Sequence, residues 1–355
     1  MALDQRRLGV VLFQLGGPEN LDAIEPFLYN LFCDPEIIDF PCARLGRRAL
    51  AKLISTSRAR KVRHHYEAIG GGSPIRKTTE RQAQALEAEL SRMGVNARCF
   101  VAMRYWHPFT AEAVAAVKAV ECTDLVLLPL YPQYSSTTTG SSLNEWARHF
   151  SPNGTRIHVV RDFYQDETYL DALVAAINGT LARFPVPSEP ELIFSAHSVP
   201  LAVIEKGDPY QMQIEETVKL ATRRGGWPNK HRLCYQSKLG AGKWLQPSLR
   251  TTLRSMAAEA VRRVCVVPIS FVSDHLETLG EIDQEARGLA ASLGMSQFEV
   301  VPGLNDIPKF IAALAQIVLR CIREQEGVEH SFGVRLSSPS NRPVNRAEVD
   351  PVRNG

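Results

Sequence analysis

The chain has few cysteines, seven in 355 residues. The total is odd and no two stand at C-x-x-C spacing, which argues against thiolate metal sites and a disulfide framework. Long hydrophobic runs are missing as well. After Arg6-Arg7 the first apolar stretch, Leu8 to Phe13, meets Gly16-Gly17-Pro18, too short for a signal segment or a membrane span, and no later stretch is long enough. Charge of one sign is scarce: 41 basic and 38 acidic residues leave +3, which speaks against nucleic acid as the main partner unless positives cluster. Neither G-x-G-x-x-G nor a P-loop lysine follows the first strand pattern, so a nucleotide site there is disfavoured. These absences predict a reduced, cytoplasmic protein.

What is present is a large apolar fraction, 45%, in a chain long enough for two domains. Val10 to Leu15 reads as a first parallel strand, Gly16-Gly17-Pro18 as the turn after it, and Asn20 as a helix cap. Phe27 to Pro41 carries more large apolar residues than a connection needs. Its plain reading is a core helix and packed loop; its sharper one is an apolar lip able to touch a membrane or a greasy ligand. Arg58, Arg60, Lys61 and Arg63 form a basic helical run before His64-His65, read as surface residues, and the loop Gly70-Gly71-Gly72-Ser73-Pro74. A helix over 78–93 and the strand Ala97 to Met103 lead to Arg104-Tyr105-Trp106, an arginine beside two aromatics at a strand end.

Two apolar strands look alike. Leu125 to Leu130 matches Val264 to Ile269 in form, a weak internal duplication that predicts two doubly wound units facing each other across a cleft. After the first comes the hydroxyl-rich loop Ser135 to Ser142, where Ser141 or Ser142 can cap a helix from Leu143. Capping alone does not need so many hydroxyls. After the second comes Ser273, a candidate cap, then Glu277, Glu281 and Glu285 at spacing of four. No lysine or arginine stands between Asp274 and Glu285, so the row reads as lining a cleft and passing hard cations inward or protons outward. Leu192 to Pro200 is the strand that aims His197, a titratable ring where ligands gather in open α/β sheets.

With these residues in view, the chain resembles the ferrochelatase family over roughly residues 8 to 325. The resemblance rests on Leu15-Gly16-Gly17-Pro18, Gly70 to Pro74, Met103-Arg104-Tyr105, Tyr131 to Ser135, Ser195 to Pro200, Gln236-Ser237-Lys238 and Asp274 to Leu279, all in family order. It implies an α/β fold of two flavodoxin-like (Rossmann-like) domains, each a parallel sheet flanked by helices, with the active-site cleft between them. The expected limits are 1–145 for the N-terminal domain, completed by a C-terminal helix at 304–325, then 146–303, and a disordered tail at 326–355.

The resemblance implies insertion of Fe(II) into protoporphyrin IX with loss of two pyrrole protons, or the same chemistry on coproporphyrin III. His197 and Glu277 match the catalytic pair that meets the metal, and either can take protons or meet iron first. Asp274, His275, Glu281 and Glu285 match the acidic metal or proton path, whose helix the family makes a π-helix. Leu15, Arg58, Tyr66, Ser73, Met103, Arg104, Tyr105, Tyr131, Ser135, Ser237 and Trp244 match ring or propionate contacts. Only Cys321 lies in the region where some relatives hold a 2Fe-2S cluster, so no cluster and no other prosthetic group is expected, iron being a substrate. The implied partners are protoporphyrin IX, ferrous iron, the inner membrane face at its periphery and protoporphyrinogen oxidase.

Overall fold

The computed structural model describes residues 7–35, 43–237 and 242–332, without side chains at 43–45 and 325–332. Residues 36–41 of the expected lip, Lys238 and the tail from 333 lie outside the described residues. Helices and strands alternate along the chain: β1 (Leu8–Gln14), α1 (Ile24–Cys33), α2 (Ala43–Ala68), α3 (Ile75–Arg92), β2 (Ala97–Met103), α4 (Thr110–Val120), β3 (Asp124–Pro129), α5 (Ser141–His149) and β4 (Arg156–Val159). Then come α6 (Glu167–Leu181), β5 (Glu191–His197), α7 (Leu201–Glu205), α8 (Tyr210–Gly225), β6 (His231–Gln236), α9 (Leu249–Ala258), β7 (Arg263–Pro268), α10 (Arg287–Ser292), β8 (Gln297–Val300) and α11 (Pro308–Phe332).

All strand pairs are parallel, in two sheets of order β2-β1-β3-β4 and β6-β5-β7-β8. Parallel strands joined by helical crossovers are covered on both faces, which is why β1 and β3 are buried along their whole length and read as continuous apolar runs. The identical order gives the internal duplication a structural form. Phe13 pairs with Pro129 in one sheet as Ser195 pairs with Pro268 in the other, so Leu15 and His197, each two residues further on, hold corresponding places.

β4 pairs with β3, so the first sheet extends past residue 145, the expected domain limit, which falls inside α5. The short β4 run was too weak a pattern to place in sequence. The C-terminal helix packs on α3 and α6 and touches β3 and β4, returning the chain to the first sheet. It also runs on to Phe332, so residues 326–332 are helix where the composition suggested tail. Phe194 and Val267 of one sheet share a core with Leu12 and Leu128 of the other, through Phe310 and Leu314 of α11.

Two π-helical segments follow the matching strands, Ser136–Gly140 after β3 and Glu277–Ala286 after β7. The i→i+5 turn is rare and concentrates at functional sites. It also corrects the expected caps. Ser135, rather than Ser141 or Ser142, accepts the Thr137 N–H at the start of the first segment, and the Ser273 hydroxyl donates to Gln82 at 3.2 Å instead of capping the second.

Candidate active site

Where β5 stops, Gln236 follows on β6 and Glu277 opens the second π segment beyond β7. Nδ1 of His197 lies 3.0 Å from Oε2 of Glu277, with the imidazole 37% and the carboxylate 18% exposed. Gln236 Nε2 donates to the same carboxylate oxygen at 3.4 Å, and its own Oε1 is held by the buried Ser195 hydroxyl at 2.7 Å. Burial works against charge on His197, yet the Glu277 carboxylate and hydrogen bond, with Glu281 behind them, raise its pKa above the usual imidazole value. Burial likewise raises Glu277, but the imidazole outweighs it and holds the carboxyl well below its ordinary range. Each partner thus favours the charged form of the other, the protonated imidazole and the ionised carboxylate.

Glu281 continues the row. Ser237, placed by a backbone φ of +63°, donates its hydroxyl to Glu281. Burial, then repulsion from Glu277, pushes the Glu281 carboxyl up to about 7. Glu285 sits at the outer end, 3.1 Å from the His65 ring. His65 was read as a surface residue; α2 lays it against the acidic segment, with its neighbour Ala68 accepting from Gln284. Glu281 and Glu285 line a cavity of about 350 Å³ together with Ser237, Leu249 and Arg250, all from the second half of the chain.

The other two members of the expected path do different work. Asp274 accepts from Gly303, Thr278 and Asn305, and its own N–H donates to Asn305, so its carboxylate is spent on the turn beside α11. His275 is buried, its Nδ1 3.1 Å from the Ser273 carbonyl and its ring edge-on to Phe271, and burial lowers its pKa. Among the described residues, no three His, Cys, Asp or Glu side chains converge to hold a metal.

The expected ring contacts divide. Leu15, Tyr66 and Tyr105 share an apolar cluster with Leu276, the residue before Glu277, so one wall of the cleft comes from α1, α2 and the end of β1. Tyr66 is close enough for Glu277 and Glu281 to add to the burial that raises its pKa. Gly17 abuts Ser73: a Cβ on Gly17 would stand 2.7 Å from that of Ser73, which is why the two glycine-bearing motifs need each other. Arg58 lies part-buried on α2, and Trp244 forms a short bridge with Pro200 beyond β5.

Arg104 and the hydroxyl of Tyr105 are tied to Asp34. Arg104 donates to Asp34 at 2.6 Å and Ser141 at 2.9 Å, and the buried Tyr105 hydroxyl donates to the same Asp34 oxygen at 2.6 Å. Met103 and Ser135 are fully covered, and the Tyr131 hydroxyl is buried beside Ser142. Sequence reasoning missed Asp34, His65 and Gln236. Only Gln236 stood in a quoted motif, and the others carried the ordinary look of solvated polar positions. Phe27, Leu28 and Phe32 are core, so this part of the expected lip follows the plain reading; the exposed apolar side chains nearby are Leu50 and Leu53 of α2.

Residues 7–321 match the family model described as Ferrochelatase. A ferrochelatase of Cyanothece sp. is 46% identical over 322 residues, 89% of this chain and 83% of its own. One from Thermosynechococcus vestitus is 47% identical over 315 residues, covering 87% and 81%. Among solved structures, the sirohydrochlorin chelatase of Bacillus subtilis subspecies spizizenii superposes with TM-score 0.51 at 11% identity, over 90% of this chain and 97% of that one. At that identity the likeness speaks for the two-sheet fold alone.

Proposed function

The chain belongs to the ferrochelatase family, and from that premise we propose that it inserts Fe(II) into protoporphyrin IX, releasing the two pyrrole protons. The observation that carries the reading is the 3.0 Å contact between His197 and Glu277 at the carboxyl edge of the second sheet. A flat porphyrin hides its nitrogen lone pairs, so an enzyme gains by holding the ring bent while protons leave and the cation enters. Two protein side chains leave most of the iron's coordination sphere to the ring nitrogens, which suits a substrate metal in transit.

The acid row supplies the proton route in this reading. The His197–Glu277 pair passes a proton outward to Glu281, whose raised pKa of about 7 lets it accept and release near neutral pH, and then to Glu285 and His65 at the rim. Leu15, Tyr66 and Trp244 take the ring faces, and Arg58, Ser73 and Ser237 its carboxylates. Arg104 joins them only by leaving Asp34.

Peripheral contact with an anionic bilayer fits α2. The helix carries eight lysines and arginines against one acid, Glu67, and exposes Leu50 and Leu53. Among the described residues no helix is long and apolar enough to cross a membrane.

An anaerobic insertion assay with Fe(II) and each of two porphyrins tests the function. The expected result is faster turnover of protoporphyrin IX than of coproporphyrin III. The reverse preference moves the substrate to coproporphyrin, and tight binding of either ring without insertion makes the protein a tetrapyrrole carrier.

A further inference from the structure

The hydroxyl run from Ser135 is longer than capping requires, and part of it is spent on a residue of the other half. Asp208, in the turn between α7 and α8, receives three hydrogen bonds on one carboxylate oxygen: from Ser135 Oγ at 3.1 Å, Ser136 N at 2.7 Å and Ser136 Oγ at 2.7 Å. Its other oxygen takes the N–H of Tyr210, the first residue of α8, at 3.0 Å. Hydrogen bonds to an ionised acceptor are roughly twice as strong as neutral ones, and four converge here from two halves of the chain.

The same helical turn reaches the site. Tyr210 is buried, and its hydroxyl donates to the His197 carbonyl at 2.9 Å, while the His197 N–H donates to Ser270 Oγ at 2.9 Å. The backbone of His197 is thus held from both sides at the point where β5 ends. Further along α8, Gln213 accepts the Tyr134 N–H at 2.6 Å, and Thr217 accepts from Gln133 at 3.1 Å. One face of α8 is therefore laced to residues 133–136 of the first half, the segment that opens its π turn.

We propose that Asp208 and Tyr210 are positioning residues for metal insertion: Asp208 clips the hydroxyl loop of the first half to the start of α8, and Tyr210 transmits that fixed spacing to the backbone of His197. The inference rests on the function proposed above and adds to it two residues that touch neither ring nor iron. A misplacement of the order of 1 Å is enough to cost catalysis heavily.

The test is a double-mutant cycle on the full chain. Tyr210→Phe and Asp208→Ala are expected to lower kcat about tenfold while the porphyrin KM moves less than about threefold. In a His197→Ala background neither should cost anything further, because both act through that ring. Asp208→Asn, which keeps one acceptor oxygen, should recover part of the loss. A penalty as large in the His197→Ala background as in the wild type would show that the residues serve the fold at large and would overturn the proposal. If Asp208→Ala does not fold, Tyr210→Phe alone decides it. The His197 ring resonance in the ligand-free protein gives a readout independent of turnover. Absence of insertion by the wild type would sink the proposed function, and the clasp would then stand or fall on whether that resonance moves in Tyr210→Phe.

Discussion

His197, the last residue of β5, meets Glu277, the first residue of the π segment beyond the neighbouring strand β7, at 3.0 Å, so strand end and π turn together set their separation. Removing one partner takes away both the charge that stabilises the other and the group placed to exchange protons with a ring. His197→Ala is therefore expected to lower the insertion rate by about 10²–10⁴. Porphyrin affinity, followed by fluorescence quenching, should stay within a few fold, since walls and carboxylate contacts lie elsewhere. Wild-type turnover in this variant would remove the pair from the mechanism.

Glu281 carries a pH signature. Its folded pKa of about 7 lies above the ordinary 4.5, so the folded state binds more protons than the unfolded one between those values. Its contribution to stability is then fully present below about pH 4.5 and is lost as pH rises through 7. Glu281→Gln abolishes that dependence and should melt higher than wild type at pH 8, with the gap closing towards pH 5. A difference in melting temperature that does not change with pH contradicts the assignment.

The parts of this arrangement that were legible in sequence share a cause. Strand ends are marked where an apolar run meets small residues, which pointed to His197, and an acid row with no interleaved lysine pointed to Glu277, Glu281 and Glu285. The π turn came only through family likeness, because a four-residue step nearly closes a turn in either helix type. The lacing along α8 was invisible for a different reason. Asp208, Gln213 and Thr217 look like a solvated face, and only the fold shows that residues 133–136 cover it. Asp34 was equally hidden, since nothing local announces the arginine it pairs with 70 positions away.

That pair makes a stability prediction. The Arg104 side chain is 11% exposed and that of Asp34 only 4%, and the Tyr105 hydroxyl leans on the same carboxylate oxygen. Asp34→Ala leaves a buried guanidinium with, among the described residues, only the more distant Glu145, 3.7 Å away, as an acid partner. Loss on the order of 3 kcal/mol is expected in urea unfolding, because breaking a buried pair leaves an uncompensated charge. Arg104→Met with Asp34→Ala should restore much of it. An unchanged urea midpoint for Asp34→Ala alone would show the pair to be dispensable.

Membrane contact through α2 separates from contact through the apolar segment before it. Phe32 is 1% exposed, packed among Ile24, Leu28 and Tyr105, so Phe32→Asp places a charge in the core and any loss of vesicle binding would report unfolding. Leu53 is 70% exposed on the helix that carries the basic residues. Leu53→Ser should leave the thermal midpoint within about a degree, as exposed substitutions away from caps and partners generally do. It should reduce co-sedimentation with phosphatidylserine vesicles severalfold, and raising the salt should reduce it further by screening the basic residues. Co-sedimentation indifferent to both the substitution and the salt would take α2 out of any membrane contact.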